Sequence, residues 1–147
     1  MRFLFLFLLI CSIGQAQSNK VIIPDYLLLL DTNPNFSTFT PEAFNNCWAS
    51  YPNAQLVDVR TAQEYAEGHI ADAIHIDVKQ DSFLQKANTL LDKNRPVAVY
   101  CKGGIRSRQA AKILLEHGFM VYNLQEGYDG WVKALKEKGN EEIKNQK

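Results

Sequence analysis

One stretch, Arg95 to Gly118, carries in immediate succession the signals of a buried strand, a glycine-rich turn and an amphipathic helix. Its first part, Pro96 to Tyr100, is a short apolar run typical of a strand that is buried on both faces, as in parallel sheets. The apolar residues after the turn recur at helical spacing, and Gly118 followed by Phe119 is typical of a left-handed helix C-cap. The stretch therefore predicts a strand, a tight turn and a helix, the repeating pattern of a parallel α/β fold.

The turn between this strand and this helix, Cys101 to Ser107, carries the strongest chemical signal in the chain. Its two adjacent glycines let the backbone curl so that several N–H groups face the cysteine sulfur. These amides, the N-terminus of the following helix and the cations Lys102 and Arg106 favour an anionic sulfur. A small buried cysteine that only ends a strand is the alternative interpretation. The glycines and the flanking cations favour a reactive nucleophile.

The loop pattern Cys-x-x-Gly-x-Arg-Ser, placed between a strand and a helix, resembles the active loop of the rhodanese-like sulfurtransferases. Cys101, Gly104, Arg106 and Ser107 match that pattern. Other pieces resemble the family in the same order and spacing: Leu56–Arg60, Glu64–Tyr65, Gly68–Ala73, Asn123–Leu124, Gly127 and Trp131. The resemblance covers the chain from about Phe39 to Leu135.

This resemblance implies a sulfurtransferase that moves a sulfane sulfur from a donor such as thiosulfate to a thiophilic acceptor. The sulfur would be carried as a persulfide on Cys101, and no cofactor would be required. The substrate would be bound by the rest of the loop, that is by Lys102, Gly103, Gly104, Ile105, Arg106 and Ser107. The expected partners are therefore a small-molecule sulfur donor and a nucleophilic acceptor.

Two other functions stay open at this point. Rhodanese-like domains can also act as non-enzymatic sulfur carriers or binding modules. Cysteine-based phosphatases and arsenate reductases place a cysteine at a strand end and an arginine at a helix start, but their loop is Cys-x5-Arg. This chain has Cys-x4-Arg, from Cys101 to Arg106. The resemblance implies that the shorter loop suits a sulfane sulfur better than a tetrahedral phosphoryl group, because a cradle must fit the anion that forms within it.

Strand and helix signals alternate along the rest of the chain. Strands are predicted at residues 37–39, 55–59, 74–76, 96–100 and 120–124, and the later helices at 82–91 and 128–138. Thr40 before Pro41 is typical of an N-cap followed by an N1 proline. This alternation predicts a three-layer α/β/α sandwich with a central, mostly parallel five-stranded sheet. Residues 139–147 are predicted to form a flexible tail.

Two charged residues, Asp58 and Arg60, end the second buried strand, at the sheet edge where sites form in parallel sheets. We predict a supporting role for both. Asp58 would organise the surrounding loops, and Arg60 would form an ion pair with Glu64, four residues later. His69 is expected to be a hydrogen-bonded structural histidine and not a base for Cys101.

The N-terminus has the features of a secretory signal peptide over residues 1–16, with a basic start, an apolar run from Phe3 to Ile10 and small residues at Ala16. The run is shorter than the roughly 20 residues that cross a bilayer, so no permanent membrane span is expected. We expect an exported, periplasmic protein. Lipidation at Cys11 is the minority alternative, because bulky Ile10 stands where a lipoprotein signal needs a small residue. The rest divides into an extension (17–35), the domain (36–138) and the tail.

Composition narrows the remaining functions. Cleavage after Ala16 would leave 131 of the 147 residues, enough for one domain, with 15 basic and 16 acidic side chains. A nearly neutral chain without a basic stripe does not indicate a nucleic-acid partner. The histidines are scattered and Cys-x-x-Cys is absent, so no metal site is expected. Cys47 has apolar neighbours at helical spacing and is predicted to be buried. We expect a monomer.

Overall fold

A computed structural model describes residues 30–50 and 53–145, with side chains described for residues 30–46 and 53–139. The strands in this part of the chain are β1 (Phe36–Phe39), β2 (Gln55–Asp58), β3 (Ile74–His75), β4 (Val97–Tyr100) and β5 (Val121–Leu124). The helices are α1 (Pro41–Ser50), α2 (Ala62–Ala66), α3 (Phe83–Leu90), α4 (Ile105–Glu116) and α5 (Gly127–Asn145). The predicted signal peptide and the Cys11 lipidation site lie outside the described residues.

The strands form one sheet in the order β1-β5-β4-β2-β3, and the pairings between them are parallel. The ladder between β2 and β4 runs from Gln55 opposite Val97 to Asp58 opposite Tyr100. β4, which the cysteine follows, is therefore the middle strand. Because parallel strands share one carboxyl edge, the loops after β2 and β4 meet there. The predicted five-stranded parallel sheet is confirmed.

Helices cover both faces of this sheet. On one face Val57, Val97 and Val99 belong to a buried cluster that also contains residues of α3 and α4. On the other face Leu56 and Ala98 belong to a second cluster, which contains residues of α1 and has side chains of α5 packed against it. Neighbouring strand residues thus alternate between two cores, as expected of strands buried on both sides. The predicted three-layer α/β/α sandwich is confirmed.

Two helix ends follow the predicted local chemistry. At the start of α1 the N–H of Ala43 donates to Thr40 Oγ1 at 3.3 Å, so Thr40 is the N-cap. After α4, Gly118 has φ 84° and the N–H of Phe119 donates to the C=O of Leu114 at 3.1 Å. Phe119 is buried in the α3/α4 core. The predicted left-handed C-cap with its hydrophobic contact is therefore present.

The end of the last helix was predicted wrongly. Sequence reasoning ended it at Lys138 and started a tail at Gly139, whereas α5 continues to Asn145. A single glycine inside a helix costs only about 1 kcal/mol relative to alanine, and the residues after Gly139 are rich in glutamate and lysine, which favour helix. β3 is also one residue shorter than predicted.

Just before β1, the described end of the N-terminal extension packs onto the domain. Leu30 is buried in the α3/α4 core, and the Asp31 carboxylate accepts two hydrogen bonds of 3.1 Å from Arg108 of α4. Cys47 lies in α1 as predicted, but its side chain is outside the described set, so its burial stays a prediction. Within the described residues, no helix is both long and apolar enough to cross a membrane.

Candidate functional site

Cys101 follows β4 directly and is almost completely buried, with 1% of its surface exposed. Its Sγ accepts a hydrogen bond from the N–H of Gly104 at 3.1 Å. Sequence reasoning expected several loop amides to face the sulfur. In the described part of the chain, one of them, the N–H of Gly104, donates a hydrogen bond to it. α4 begins at the next residue, so the positive end of its dipole lies at the loop. The cysteine is held where an anionic sulfur is stabilised.

Gly104 is the glycine that this loop requires. Its φ is 94°, a left-handed conformation that residues with a Cβ rarely adopt, and a Cβ here would overlap the carbonyl oxygen of Gln125. Ser107 is fully buried, and its Oγ donates to the C=O of Gly104 at 3.0 Å, which stabilises the turn. Gly103 has open space around the position of a Cβ. It is therefore not required by local packing.

The start of α5 holds the other side of the loop. The N–H of Tyr128 donates to the C=O of Cys101 at 2.8 Å, and the N–H of Asp129 donates to the C=O of Lys102 at 3.1 Å. Free N–H groups of a helix's first turn thus satisfy the loop carbonyls. Gly127 has φ 59°, and a Cβ there would overlap both carbonyls. Sequence reasoning missed this clamp, although Gly127 was among the residues that matched the family.

Arg106 is tied to a neighbouring helix. Its Nη1 and Nη2 donate to the two carboxylate oxygens of Glu64 at 2.7 Å each, across 42 residues of sequence. Hydrogen bonding by Arg106 holds the pKa of Glu64 well below its usual range, although partial burial opposes this shift. Glu64 also completes the capping box of α2 with Thr61. The loop and α2 are therefore joined through one carboxylate.

The same contacts raise the pKa of Arg106. Hydrogen bonding to Glu64 is the main cause, burial opposes it, and electrostatic interaction with Glu64, Cys101 and Asp77 raises it further. The guanidinium thus lies within electrostatic reach of the cysteine even though its hydrogen bonds go to Glu64. Asp77 is largely buried and is one of the charges that raise the pKa of Arg106. Sequence reasoning missed this residue.

The predicted ion pair between Arg60 and Glu64 is wrong. Arg60 is paired with Asp58, with Nη2 2.6 Å from Oδ2 and Nε 3.0 Å from both carboxylate oxygens, and the two side chains are 4% and 0% exposed. α2 begins at Ala62 after the N-cap Thr61, so Arg60 lies outside the helix and the four-residue rule does not apply.

Arg60 links several parts of the site. Its Nη2 donates to the C=O of Gly68 at 2.7 Å, and its guanidinium lies over the ring of Tyr128, 4.3 Å from the centroid, with Tyr100 at 5.6 Å. Burial lowers the pKa of Arg60, but hydrogen bonding to Asp58 and its charge more than compensate, so the pKa is raised. For Tyr100, whose protonated form is uncharged, burial has the opposite effect and is the main cause that raises its pKa. Asp58 and Arg60 thus connect the end of β2 to Gly68 and Tyr128, and their supporting role in the site stays a prediction.

An open cavity of about 250 Å³ lies beside the loop. It is lined by Arg60, Glu64, Glu67, Gly68, Lys102, Tyr128 and Asp129. Cys101 is not part of this lining, since its carbonyl faces α5 and its sulfur faces Gly104. The cavity therefore lies next to the Cys101 loop, at Lys102, and does not contain Cys101 itself.

The histidines near the site have structural contacts. His69 stacks on Tyr65 at 3.8 Å between centroids, and its Nδ1 lies 3.0 Å from the C=O of Tyr65. His75 Nε2 lies 2.8 Å from the C=O of Arg60. The structural interpretation of His69 is confirmed. In the described parts of the chain, no three His, Cys, Asp or Glu side chains are grouped so that they could hold a metal ion.

Comparison with known proteins shows which family this chain is similar to. The family described as "Rhodanese-like domain" matches residues 45–134. A Bacillus subtilis protein named "Uncharacterized protein YqhL" is 36% identical over 102 residues, which are 69% of this chain and 76% of that protein. A Coxiella burnetii protein named "Thiosulfate sulfurtransferase GlpE" is 42% identical over 77 residues, or 52% of this chain and 69% of that protein.

Solved structures agree. The rhodanese-like domain protein from Staphylococcus aureus superposes with a TM-score of 0.58 at 29% identity, covering 65% of this chain and 90% of that one. The rhodanese-like domain of an Anabaena protein superposes with a TM-score of 0.59 at 27% identity, covering 67% and 74%. The sequence comparisons and the fold comparisons therefore agree with each other on the family of the chain.

Proposed function

Because the chain belongs to the rhodanese-like domain family, we propose that it is a sulfurtransferase that carries a sulfane sulfur as a persulfide on Cys101. The observation that carries this proposal is the buried Cys101 Sγ at 3.1 Å from the Gly104 N–H, in a Cys-x4-Arg loop at the centre of the sheet edge. Relatives named as thiosulfate sulfurtransferases support thiosulfate as the donor.

In the first step the Cys101 thiolate attacks the outer sulfur of thiosulfate. A new bond forms between Sγ and that sulfur, and the sulfur–sulfur bond of thiosulfate breaks, so that sulfite leaves with the bonding electron pair. In the second step a nucleophilic acceptor attacks the outer persulfide sulfur, and the electron pair of the broken bond returns to Sγ. Covalent transfer in two steps should give ping-pong kinetics.

The loop supplies the stabilisation that both steps need. The Gly104 N–H and the N-terminus of α4 stabilise negative charge on sulfur, in a buried setting where such interactions are strong. Lys102 is exposed next to the nucleophile, and the Arg106 charge lies within electrostatic reach of it. Both cations attract an anionic donor.

The test is to incubate the purified protein with thiosulfate and to measure the intact mass. We expect one added sulfur in the wild type and none in Cys101→Ser, which is nearly isosteric and removes only the nucleophile. Cys47→Ser is the matched control and should still take up one sulfur. Sulfur uptake by Cys101→Ser at the wild-type level would contradict the proposal.

Turnover separates the remaining alternatives. Release of the bound sulfur to cyanide or to a thiol in repeated cycles indicates an enzyme, whereas uptake without release indicates a sulfur carrier. Hydrolysis of an aryl phosphate by the wild type would instead support the phosphatase interpretation. We expect turnover with a thiophilic acceptor and no phosphate release, because the loop is one residue shorter than Cys-x5-Arg.

We further propose that the protein is exported to the periplasm after cleavage behind Ala16, on the strength of the basic start and apolar run of its N-terminus. N-terminal sequencing of the protein from a periplasmic extract should give Gln17 as the first residue. A protein that retains Met1 in the cytoplasm, or one that begins with a lipid-modified Cys11, would contradict this proposal.

A further inference from the structure

The rim around the buried sulfur contains an exposed apolar side chain. Lys102, Gly103 and Ile105 are the exposed residues of the loop, and Ile105 has 73% of its surface exposed. Among the described residues, the other exposed large apolar side chains are less exposed than Ile105, for example Leu90 at 52%. Single exposed apolar side chains are common on protein surfaces, so it is the place of Ile105 in the loop, and not its exposure alone, that carries the argument.

Local geometry directs this side chain toward the reacting end of the loop. Ile105 is the first residue of α4, and Cα–Cβ bonds in a helix tilt toward the N-terminus. Its neighbour Gly104 donates to Sγ and is fixed by the close approach of the Gln125 carbonyl. Ile105 therefore directly follows the residue whose amide bonds Sγ, and its Cα–Cβ bond tilts toward the loop end of α4.

Ile105 offers an apolar contact next to the charged residues of the loop. Arg106, the next residue, donates two N–H groups to Glu64 at 2.7 Å, so these donors are already engaged. A Cβ at Gly103 would have no heavy atom within 4 Å, so the loop is open to solvent at this residue. If an incoming molecule covers Ile105, the contact is most favourable when apolar carbon atoms cover the side chain, because apolar surface is then removed from water.

We propose that Ile105 is a specificity-determining residue that selects, as sulfur acceptors, thiols carrying an apolar chain. This inference rests on the proposed persulfide on Cys101 and names the class of acceptor. The acceptor thiol loses its proton to solvent, and its sulfur attacks the outer persulfide sulfur. A sulfur–sulfur bond forms on the acceptor, which leaves as an alkyl persulfide, and the electron pair of the broken bond returns to Cys101 Sγ.

The experiment compares two thiols of equal length, 1-butanethiol and 3-mercapto-1-propanol, which differ by a terminal methyl or hydroxyl group. The protein is first loaded with thiosulfate, freed of excess donor, and mixed with each thiol, and loss of the added sulfur is followed by intact mass. For each variant the readout is the ratio of the two rate constants, because changes in loop reactivity that affect both thiols cancel. We expect 1-butanethiol to react faster with the wild type.

In Ile105→Ser the ratio should fall about fourfold, the effect of losing contact with roughly one methylene group. Ile105→Leu should keep the wild-type ratio, and so should Leu135→Ser, which removes an exposed leucine from α5. An unchanged ratio in Ile105→Ser, or an equal fall in Leu135→Ser, would overturn the proposal.

Loading with sodium polysulfide keeps the two proposals distinguishable. If thiosulfate adds no sulfur to Cys101, the donor part of the proposed function fails, yet a chemically loaded persulfide still allows both acceptor rates to be measured. If loading succeeds and the wild type shows no preference between the two thiols, the proposed function stands and the inference about Ile105 fails.

Discussion

Two arginine–carboxylate pairs lie at the same edge of the sheet, and they differ in burial and in what they join. The Asp58–Arg60 pair is 0% and 4% exposed and lies at the end of a single strand. The Glu64–Arg106 pair is 25% and 20% exposed and joins the N-cap region of α2 to the first turn of α4. One pair is buried inside the domain, and the other is partly exposed and connects the Cys101 loop to α2.

This difference indicates which pair serves stability and which serves the site. A buried charge that loses its partner is strongly destabilising, whereas a partly exposed pair contributes little to stability. The buried pair also fixes the C=O of Gly68 and the ring of Tyr128, so it organises loops. We expect the exposed pair instead to set how much free positive charge Arg106 offers to an anion near Cys101.

The largest effect is expected for Asp58→Asn. The substitution keeps a hydrogen-bond acceptor but leaves the buried Arg60 charge uncompensated, and we expect a loss of about 3–5 kcal/mol in the free energy of unfolding. Urea unfolding measures this loss. Glu64→Gln is the matched control from the other pair, and it should lose much less. An equal or smaller loss in Asp58→Asn would show that the two pairs do not differ as their burial suggests.

A smaller effect, on activity, is expected for Glu64→Gln. Glutamine keeps the capping box with Thr61 but releases the Arg106 guanidinium from its carboxylate. The KM for thiosulfate should fall about two- to fivefold, since one nearby charge at a partly exposed site is worth up to about 1 kcal/mol. Steady-state kinetics with varied thiosulfate gives the value.

Glu67→Gln is the control for this activity prediction. It removes one negative charge from the same cavity lining, but Glu67 accepts its hydrogen bond from Gln63 and does not hold Arg106. Its KM should change less than that of Glu64→Gln. If the KM for thiosulfate changed equally in both variants, the total charge around the cavity, and not the freed Arg106 guanidinium, would control binding of the donor.

The two pairs also mark where prediction from sequence succeeded and failed. β4, the loop and α4 were predicted because strand burial, glycine conformation and helix periodicity are local signals within Arg95–Gly118. The alternating pattern was sufficient for the parallel sheet, and both helix caps followed from Thr40 and Gly118. The loop geometry around Cys101 likewise followed from local signals, and its role as nucleophile stays a prediction.

What failed depends on contacts between distant residues. The partner of Glu64 lies 42 residues away, and the amides of Tyr128 and Asp129 reach the loop only because β5 is the neighbour of β4. The wrong pairing of Arg60 arose from applying helix spacing one residue before the N-cap. Strand order and exact helix starts decide such contacts, and neither can be read from spacing within one segment.

The pH dependence of stability should distinguish the exposed pair as well. The pKa of Glu64 in the folded state is held well below its unfolded value of about 4.3, mainly by hydrogen bonding to Arg106. Its contribution is therefore complete above that value and is lost as pH falls toward the folded pKa. Because a quarter of the side chain is exposed, screening limits the contribution to about 1 kcal/mol.

The difference in unfolding free energy between wild type and Glu64→Gln should thus be constant from about pH 7 to 5 and shrink from about pH 4.5 to 2. Arg106→Gln, which removes the same hydrogen bonds from the other side, should show the same decline. Urea unfolding at a series of pH values measures both differences. A difference that grows on acidification would contradict the direction of the pKa shift.

The smallest expected effect is the response of the two pairs to salt. Between about 0.1 M and 1 M the Debye length falls from about 10 Å to about 3 Å, which screens exposed charges and leaves buried ones largely unaffected. A double-mutant cycle of Glu64→Gln and Arg106→Gln should therefore show a coupling free energy that falls by a few tenths of a kcal/mol. The cycle of Asp58→Asn and Arg60→Gln should keep its coupling free energy, because its side chains are almost inaccessible to ions. The i, i+4 pair of Lys112 and Glu116 on the surface of α4 gives the fully screened reference. If both pairs lost coupling to the same extent, burial would not be what separates them, and the assignment of one pair to stability and the other to the Cys101 loop would have to be abandoned.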